Sequence, residues 1–220
     1  MTNKTPKLAA VAFDLDGTIV NSEDLYEQAG DEVLRRRGKR YDPVLREQII
    51  GRPAVDSLRI MIDYHKLPDP LEHLMGECHE LFERLMAESL AAMPGVYELL
   101  DHLDAARIPL AVATSGTRDY ADHVLTRLKI KYRFQFVLTA DDVRRGKPHP
   151  EIYRLAGRRF AVAPAEMMVL EDSANGCRAG AASGAFTVAV PNRHTRDHDF
   201  ANVRFIADSL LDPRIREALE

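Results

Sequence analysis

The chain has 220 residues, of which 45% are apolar and none is tryptophan, and this suits one large domain or a core domain with an insertion. Its 30 basic and 34 acidic residues give a net charge of −4, which excludes the basic footprint of a protein that binds nucleic acid or an anionic membrane. The polar residues 1–7 precede only a short apolar run, so neither a secretory signal nor a membrane span is predicted, and we expect a cytoplasmic protein. The two cysteines lie far apart, which argues against a zinc cluster or a disulfide framework.

The first predicted element is a strand over residues 8–13, because an almost continuously apolar run fits a strand that is buried on both faces. It ends in Asp14 and Asp16. The turn begun by Gly17 lets one aspartate offer its side chain and the other its carbonyl to the same centre. From these residues alone, a plain strand-to-loop turn and a functional site fit equally well.

Residues 22–92 carry only helical patterns. The first helix begins at a plausible N-cap, Ser22, and ends before Gly38, with cations in its last turn. Further helices are predicted over residues 43–50, 54–64 and 71–90. We therefore predict a helical cap domain, residues 21–92, inserted into a core domain formed by residues 1–20 and 93–220, with hinges near Val20 and Met93.

Beyond the insertion, helices and strands alternate. The predicted helices cover residues 97–106, 118–128, 150–160 and 175–183. The predicted strands cover residues 109–113, 134–138, 167–170 and 186–190, with 204–206 as a candidate last strand. This alternation predicts an α/β fold, a Rossmann-like and mainly parallel sheet with right-handed crossovers.

Ligands of open parallel sheets bind outside the carboxyl ends of the strands, and polar residues follow the predicted strands there. They are Asp14, Asp16, Thr114, Ser115, Gly116, Lys147, Glu171, Asp172 and Asn175. Taken singly, the Thr-Ser-Gly segment fits a helix cap and the lysine a solvated side chain.

Taken together, these residues predict a site for a metal ion and a phosphate group. Asp14, Asp16 and Asp172 form a cluster that needs a cation, and oxygen ligands point to Mg²⁺ with substrate phosphate oxygens. Thr114 and Lys147 are suited to hold the other phosphate oxygens. No nucleotide-binding P-loop occurs, which argues against ATP as the phosphate donor.

The same residues make the chain resemble the haloacid dehalogenase superfamily of phosphatases and phosphomutases. The four motifs of that family occur in order as the Asp14-Leu15-Asp16-Gly17-Thr18 segment, Thr114, Lys147 and the Glu171-Asp172 pair, and the resemblance covers essentially the whole chain. It is strongest to the β-phosphoglucomutase-like branch, with its helical cap.

The resemblance implies a role for each motif. Asp14 would be the nucleophile that forms an aspartyl-phosphate, and Asp16 would be the general acid and base. Mg²⁺ would be bound by the carboxylates of Asp14 and Asp172 and the carbonyl of Asp16, with Glu171 as a weaker ligand candidate. The implied activity is Mg²⁺-dependent hydrolysis of the phosphate ester of a small metabolite.

Departures from the family pattern bear on two alternatives. Phosphomutases of this kind carry a cap histidine where this chain has Tyr26, and a cap arginine that aligns with Ala54, although Arg52 lies nearby. Both differences favour water, and not a second sugar hydroxyl, as the final acceptor of the phosphoryl group. Phosphonoacetaldehyde hydrolases need a cap lysine, and only Lys39 and Lys66 lie in the predicted cap, neither in a convincing loop.

The remaining expectations concern contacts and partners. Further candidates for substrate or phosphate contact are Tyr26, Gly51, Arg52, Ser115, Gly116 and Asn175. The expected partner is a small-molecule phosphate ester, with neither nucleic acid nor a membrane, and the expected assembly is a monomer or a weak dimer. A phosphomutase and a non-catalytic regulatory protein on the same scaffold remain as alternatives.

Overall fold

The structure is a computed structural model that describes residues 7–49 and 54–220. The chain divides into two compact units. One unit comprises the chain up to Asn21 and from Ala91 onward, and the other is Ser22–Leu90. The sequence predicted an insertion over residues 21–92.

The first unit is built on a sheet of six strands. These are β1 (Ala10–Phe13), β2 (Leu110–Ala113), β3 (Phe136–Leu138), β4 (Met167–Glu171), β5 (Phe186–Ala189) and β6 (Phe205–Ile206). Every residue of β1, β2 and β4 is buried, as the continuous apolar runs predicted for strands covered on both faces. The predicted α/β parallel-sheet fold is confirmed.

The strands follow the order β3-β2-β1-β4-β5-β6, and every pairing is parallel. β1 lies between β2 and β4. From β1 the chain forms β2 and then β3 on one side, and it then crosses to the other side of β1 to form β4, β5 and β6. This reversal beside β1 is where an open parallel sheet leaves a crevice for ligands. In register, Phe13 pairs with Leu170, so Asp14 and Glu171 occupy equivalent positions at the carboxyl ends.

Among the described residues, five helices belong to the same unit. They are α5 (Val96–Ala105), α6 (Arg118–Arg127), α7 (Glu151–Phe160), α8 (Ala174–Ser183) and α9 (Pro213–Glu217). Helices α7 and α8 cover one face, where Tyr153 and Ala156 of α7 and Ala179 of α8 join the small side chains Ala10 and Ala12 of β1 in one core cluster. The small strand residues let the helices approach the sheet closely.

In the part that the structure describes, the second unit contains four helices. They are α1 (Ser22–Arg36), α2 (Pro43–Ile49), α3 (Ala54–His65) and α4 (Leu71–Ser89). Helices α1 and α4 pack along each other, and α4 buries Leu74, Leu81 and Met86 of its apolar stripe. Just beyond α1, Arg37 forms ion pairs with Asp69 at 2.8 Å and Glu77 at 2.7 Å.

The chain leaves and rejoins the first unit through paired segments. The Asn21 backbone N–H donates to the Ala91 carbonyl at 3.1 Å, and the Ala91 N–H donates back to the Asn21 side-chain oxygen at 2.9 Å. Val20 and Ala92 form an antiparallel bridge, and the Met93 N–H donates to the Ile19 carbonyl at 2.8 Å. The two ends of the insertion are thus held together within the first unit.

Three local features differ from the sequence predictions. Helix α9 was not predicted, although Asp212 as N-cap and Pro213 as first helical residue are ordinary start signals. The third strand begins at Phe136, because residues 131–133 form a 3₁₀ turn before it. The fourth extends to Glu171. Within the described residues, no helix combines the length and the apolar character needed to cross a membrane.

Candidate active site

The candidate site lies at the carboxyl ends of β1, β2 and β4. Asp14 follows β1 directly, and its backbone N–H donates to the Leu170 carbonyl of β4 at 2.9 Å. Thr114 follows β2, and its N–H donates to the Leu138 carbonyl of β3 at 2.9 Å. Both side chains are buried. The sheet ladder therefore continues through the first residue after each strand and fixes where that side chain begins.

Lys147 is the central cation of this group. Its ammonium donates to Asp14 Oδ1 at 2.5 Å, to Glu171 Oε1 at 2.6 Å and to the Ala113 carbonyl at 2.8 Å, and it lies 5.1 Å from the centre of the Tyr153 ring. Only 6% of its side chain is exposed. Burial lowers the pKa of Lys147, but the two carboxylates outweigh burial and raise it, so the side chain stays protonated.

Glu171 is fully buried and holds Lys147 in place. Its Oε1 accepts from Lys147 and from the Tyr153 hydroxyl, the latter at 2.6 Å, and its Oε2 accepts from the Ser173 hydroxyl at 3.2 Å. Helix α8 starts against this carboxylate: a Cβ added to Gly176 would lie 1.8 Å from Oε1. Both oxygens of Glu171 are therefore engaged by protein groups, and only glycine fits at position 176.

Asp172 is held from another side. Its Oδ2 accepts from the Asn192 side-chain amide at 2.9 Å, and the same amide donates to the Gly17 carbonyl at 3.2 Å. Gly17 has φ of 76°, which confirms the turn predicted after the aspartate pair. Asn192, which follows β5, thus links the loop after β1 to the loop after β4.

Asp16 is half-buried and lies beside the end of β2. The Tyr120 hydroxyl donates to its Oδ1 at 2.6 Å, and the Thr114 hydroxyl lies 3.4 Å from its Oδ2. Thr114 Oγ1 in turn accepts the Gly116 N–H at 2.9 Å. These contacts connect Thr114, the residue of the second motif, to Asp16, the second aspartate of the first motif.

The carboxylates of Asp14, Glu171 and Asp172 converge to form a site that could hold a cation. Each offers an oxygen within 4.8 Å of the others, and all three residues are buried. Lys147 contacts Asp14 and Glu171. Burial, followed by the charge of Glu171, raises the pKa of Asp14 well above its usual range, while Lys147 acts in the opposite direction. A divalent cation would offset this buried negative charge, and the oxygen donors suit a hard ion.

The other predicted site residues are placed differently. Ser115 is exposed, and Gly116 is half-buried beside Tyr120. Asn175 is exposed on α8, where its side-chain oxygen accepts from Arg178 at 3.3 Å, so the structure does not bring its amide to the carboxylates. Tyr26 belongs to the helical unit, where its ring stacks on Phe82 at 4.0 Å. The remaining candidates, Gly51 and Arg52, lie outside the described residues.

Sequence reasoning missed three residues of this site, namely Tyr120, Tyr153 and Asn192. Tyr153 carried a signal, because a buried tyrosine hydroxyl on an apolar helix face needs a partner. Asn192 carried one too, since it follows a strand just as the other site residues do. Tyr120 carried none, because it lies within helix α6 and does not follow the end of a strand.

Comparison with known proteins agrees with this geometry. The sequence profile of the haloacid dehalogenase-like hydrolases matches residues 11–190. The chain is 37% identical to the phosphorylated carbohydrates phosphatase of Thermotoga maritima (80% of this chain, 82% of that protein) and 36% identical to hexitol phosphatase A of Escherichia coli (81% of each). The structure of a putative β-phosphoglucomutase from Thermotoga maritima superposes with a TM-score of 0.85 at 31% identity (97% of this chain, 100% of that one).

These similarities confirm the predicted resemblance, including its β-phosphoglucomutase-like branch. They also confirm the predicted enzyme class, a phosphatase, over a non-catalytic protein. The chain belongs to the haloacid dehalogenase-like hydrolase family.

Proposed function

We propose that the protein is a Mg²⁺-dependent phosphomonoester hydrolase that acts on a small phosphorylated metabolite through an aspartyl-phosphate on Asp14. The observation that carries the proposal is the buried contact of 2.5 Å between Asp14 and Lys147, beside a convergence of carboxylates. A carboxylate held by an ammonium at the end of a central strand is positioned to meet a phosphate group, whose oxygens the same ammonium attracts.

In the first step, an oxygen of Asp14 forms a bond to phosphorus, and the bond from phosphorus to the ester oxygen breaks. The electron pair of the broken bond stays on the leaving oxygen, and Asp16 donates the proton that neutralises it. Lys147 and the Thr114 hydroxyl hold the phosphoryl oxygens through this transfer.

In the second step, water attacks the phosphorus of the aspartyl-phosphate while Asp16 accepts a proton from the water. The bond between phosphorus and Asp14 breaks, which releases inorganic phosphate and restores the carboxylate. Asp16 thus returns to its protonated state for the next cycle.

The groups proposed to hold Mg²⁺ are the carboxylates of Asp14 and Asp172 and the main-chain carbonyl of Asp16. Because Lys147, Tyr153 and Ser173 engage Glu171, we assign that carboxylate to orienting Lys147 and not to direct ligation. When bound, Mg²⁺ would supply positive charge to the phosphoryl oxygens.

For the substrate we propose a sugar or sugar-alcohol phosphate. Two relatives that are more than 35% identical to this chain support this choice, because one is named a phosphorylated carbohydrates phosphatase and the other a hexitol phosphatase. Within the core unit, Ser115 and Gly116 are our candidates to lie near the phosphate, whereas the contacts predicted for Tyr26, Gly51 and Arg52 of the cap stay a sequence prediction.

The test compares wild type with Asp14→Asn on p-nitrophenyl phosphate and on a panel of sugar and sugar-alcohol phosphates, with Mg²⁺ and with excess EDTA. Asp14→Asn should lower kcat by at least about 1,000-fold, because the covalent route is lost, while the thermal unfolding profile is retained. The matched control is Asp63→Asn, which changes an exposed aspartate of α3 and should keep full activity. Substantial turnover by Asp14→Asn would refute the nucleophile assignment.

A phosphomutase is the second candidate, and the observation in its favour is the similarity to a putative β-phosphoglucomutase structure. Tyr26 replaces the histidine expected of such mutases, and its ring packs on Phe82. A mutase predicts net isomerisation of a sugar 1-phosphate that depends on a bisphosphate activator. Stoichiometric release of inorganic phosphate from the same substrate supports the hydrolase.

A further inference from the structure

We propose that Tyr120 is a positioning residue that selects which oxygen of Asp16 transfers the proton. This inference rests on the proposed function, because it assumes that Asp16 acts as acid and base. Its starting observation is the hydrogen bond of 2.6 Å from the Tyr120 hydroxyl to Asp16 Oδ1. A carboxyl group two residues after the nucleophile has two similar oxygens and a rotatable side chain, so an efficient acid needs one of them fixed.

The local sequence places the Tyr120 ring. Thr117 is the N-cap of α6, and its side-chain oxygen accepts the Tyr120 N–H at 3.4 Å, which sets the backbone of the first helical turn. The ring then lies against Gly116: a Cβ at that position would approach Tyr120 Cδ1 to 2.9 Å. The glycine predicted as a phosphate contact therefore also makes room for the tyrosine.

The segment that leads into the first turn of α6 is also tied to the site, at its other end. The Gly116 N–H donates to Thr114 Oγ1 at 2.9 Å, and Thr114 follows β2 directly. The tyrosine hydroxyl is thus presented to Asp16 by a segment that is fixed both to the sheet and to the helix. Tyr120 is half-buried, so part of its ring is shielded from water.

The geometry divides the work between the two oxygens of Asp16. Oδ1 accepts from Tyr120, and this bond is compatible with both protonation states, because the carbonyl oxygen of a neutral carboxyl group also accepts. Oδ2 accepts from the Thr114 hydroxyl over a longer distance, 3.4 Å, so it is held less firmly than Oδ1, and we assign proton transfer to it. As the bond from phosphorus to the ester oxygen breaks, the proton on Oδ2 passes to that oxygen and the electron pair of the O–H bond stays on Asp16.

The experiment measures kcat/KM of Tyr120→Phe for two substrates. One is p-nitrophenyl phosphate, whose leaving group departs without protonation, and the other is the alkyl phosphate that wild type hydrolyses fastest in a panel of glycerol, hexose and hexitol phosphates. Because kcat/KM reports the steps up to departure of the leaving group, it isolates the acid role. The matched control is Tyr132→Phe, which changes a tyrosine that is 79% exposed.

We expect Tyr120→Phe to lower kcat/KM for the alkyl phosphate by about 10-fold or more, a part of the full general-acid contribution. For p-nitrophenyl phosphate the loss should stay within about 2-fold, since no proton is needed there. Competitive inhibition by inorganic phosphate should be unchanged. In an Asp16→Asn background, Tyr120→Phe should cause no further loss, because the carboxyl group that it positions is absent.

A second variant keeps the test decisive if Tyr120→Phe folds poorly by thermal denaturation. Thr117→Ala removes the cap that sets the backbone of Tyr120 and should show the same difference between the two substrates. Equal losses on both substrates, or a loss that adds fully to that of Asp16→Asn, would overturn the positioning role. If wild type hydrolyses neither substrate with Mg²⁺, the proposed function itself fails and the inference fails with it.

Discussion

Replacement of Gly176 by alanine tests the buried network around Glu171. The added Cβ would lie 1.8 Å from Glu171 Oε1 and 2.0 Å from Oε2, whereas ordinary contacts begin near 3.4 Å. The carboxylate or the start of α8 must therefore move by about 1.6 Å. A carboxylate that shifts that far leaves the hydrogen bonds of 2.6 Å from Lys147 and from Tyr153.

The expected change in the free energy of unfolding follows from the ion pair that is lost and the helix propensity that is gained. Breaking a buried ion pair costs about 3–5 kcal/mol, because one charge is left without its partner. Alanine regains about 1 kcal/mol of helix propensity over glycine. We therefore expect Gly176→Ala to lower the free energy of unfolding by about 2–4 kcal/mol. The same variant should lose phosphatase activity, because Lys147 is then no longer held between Glu171 and Asp14.

The assay is urea denaturation followed by circular dichroism, together with p-nitrophenyl phosphate turnover on folded protein. Gly157→Ala is the matched control, because this glycine also lies in a helix of the core unit and its added Cβ meets only the Val162 carbonyl, at 3.7 Å. That control should be unchanged or slightly more stable. A Gly176→Ala protein with wild-type stability and turnover would refute the idea that Glu171 is held rigidly.

Two further predictions concern titratable groups that take no part in the proposed reaction. Hydrogen bonds from Arg214 lower the pKa of Asp212, the N-cap of α9, from 3.8 to about 2, so its stabilising effect is complete above pH 3.8 and is lost as the pH falls through 2. Asp212→Ala should thus lower the free energy of unfolding by about 1 kcal/mol at pH 7. In pH-dependent urea denaturation the gap to wild type should narrow as the pH falls through 2; exposed Asp63→Ala is the control, and a gap that is as large at pH 2 as at pH 7 would contradict the assignment. Burial raises the pKa of the Cys78 thiol to about 11 and raises that of Cys177 further, so iodoacetamide at pH 7.5 should label neither in the folded protein and both in urea, by mass spectrometry. Rapid stoichiometric labelling without urea would show that burial does not protect these thiols.

The sheet and the residues at its edge were predictable from sequence because both depend on local patterns. Continuous apolar runs indicated β1, β2 and β4, and the first polar residues after each run are the groups that the structure brings together. Parallel strands end at a common edge, so no tertiary information was needed to expect Asp14 near Asp172.

The hydrogen-bond partners of those residues are brought to them by tertiary packing, which local sequence patterns do not encode. Glu171 and Asp172 are neighbours in sequence, and their carboxylates converge, yet the Glu171 side chain accepts from Lys147 and Tyr153 whereas that of Asp172 accepts from Asn192. Lys147 was expected to be solvated unless a site existed, and its burial depends on the loop before α7 reaching the end of β1. Such contacts follow from the packing of whole elements.

The pairing of Asn21 with Ala91 has a consequence for how this chain could have been assembled. The two ends of the insertion are hydrogen-bonded to each other within the core unit, as the two sides of a short turn would be. Insertions are tolerated best where their ends already lie together, and lengthening a closed loop adds little entropy cost. Different helical inserts could therefore be exchanged at this junction while the sheet and the residues at its edge stay intact.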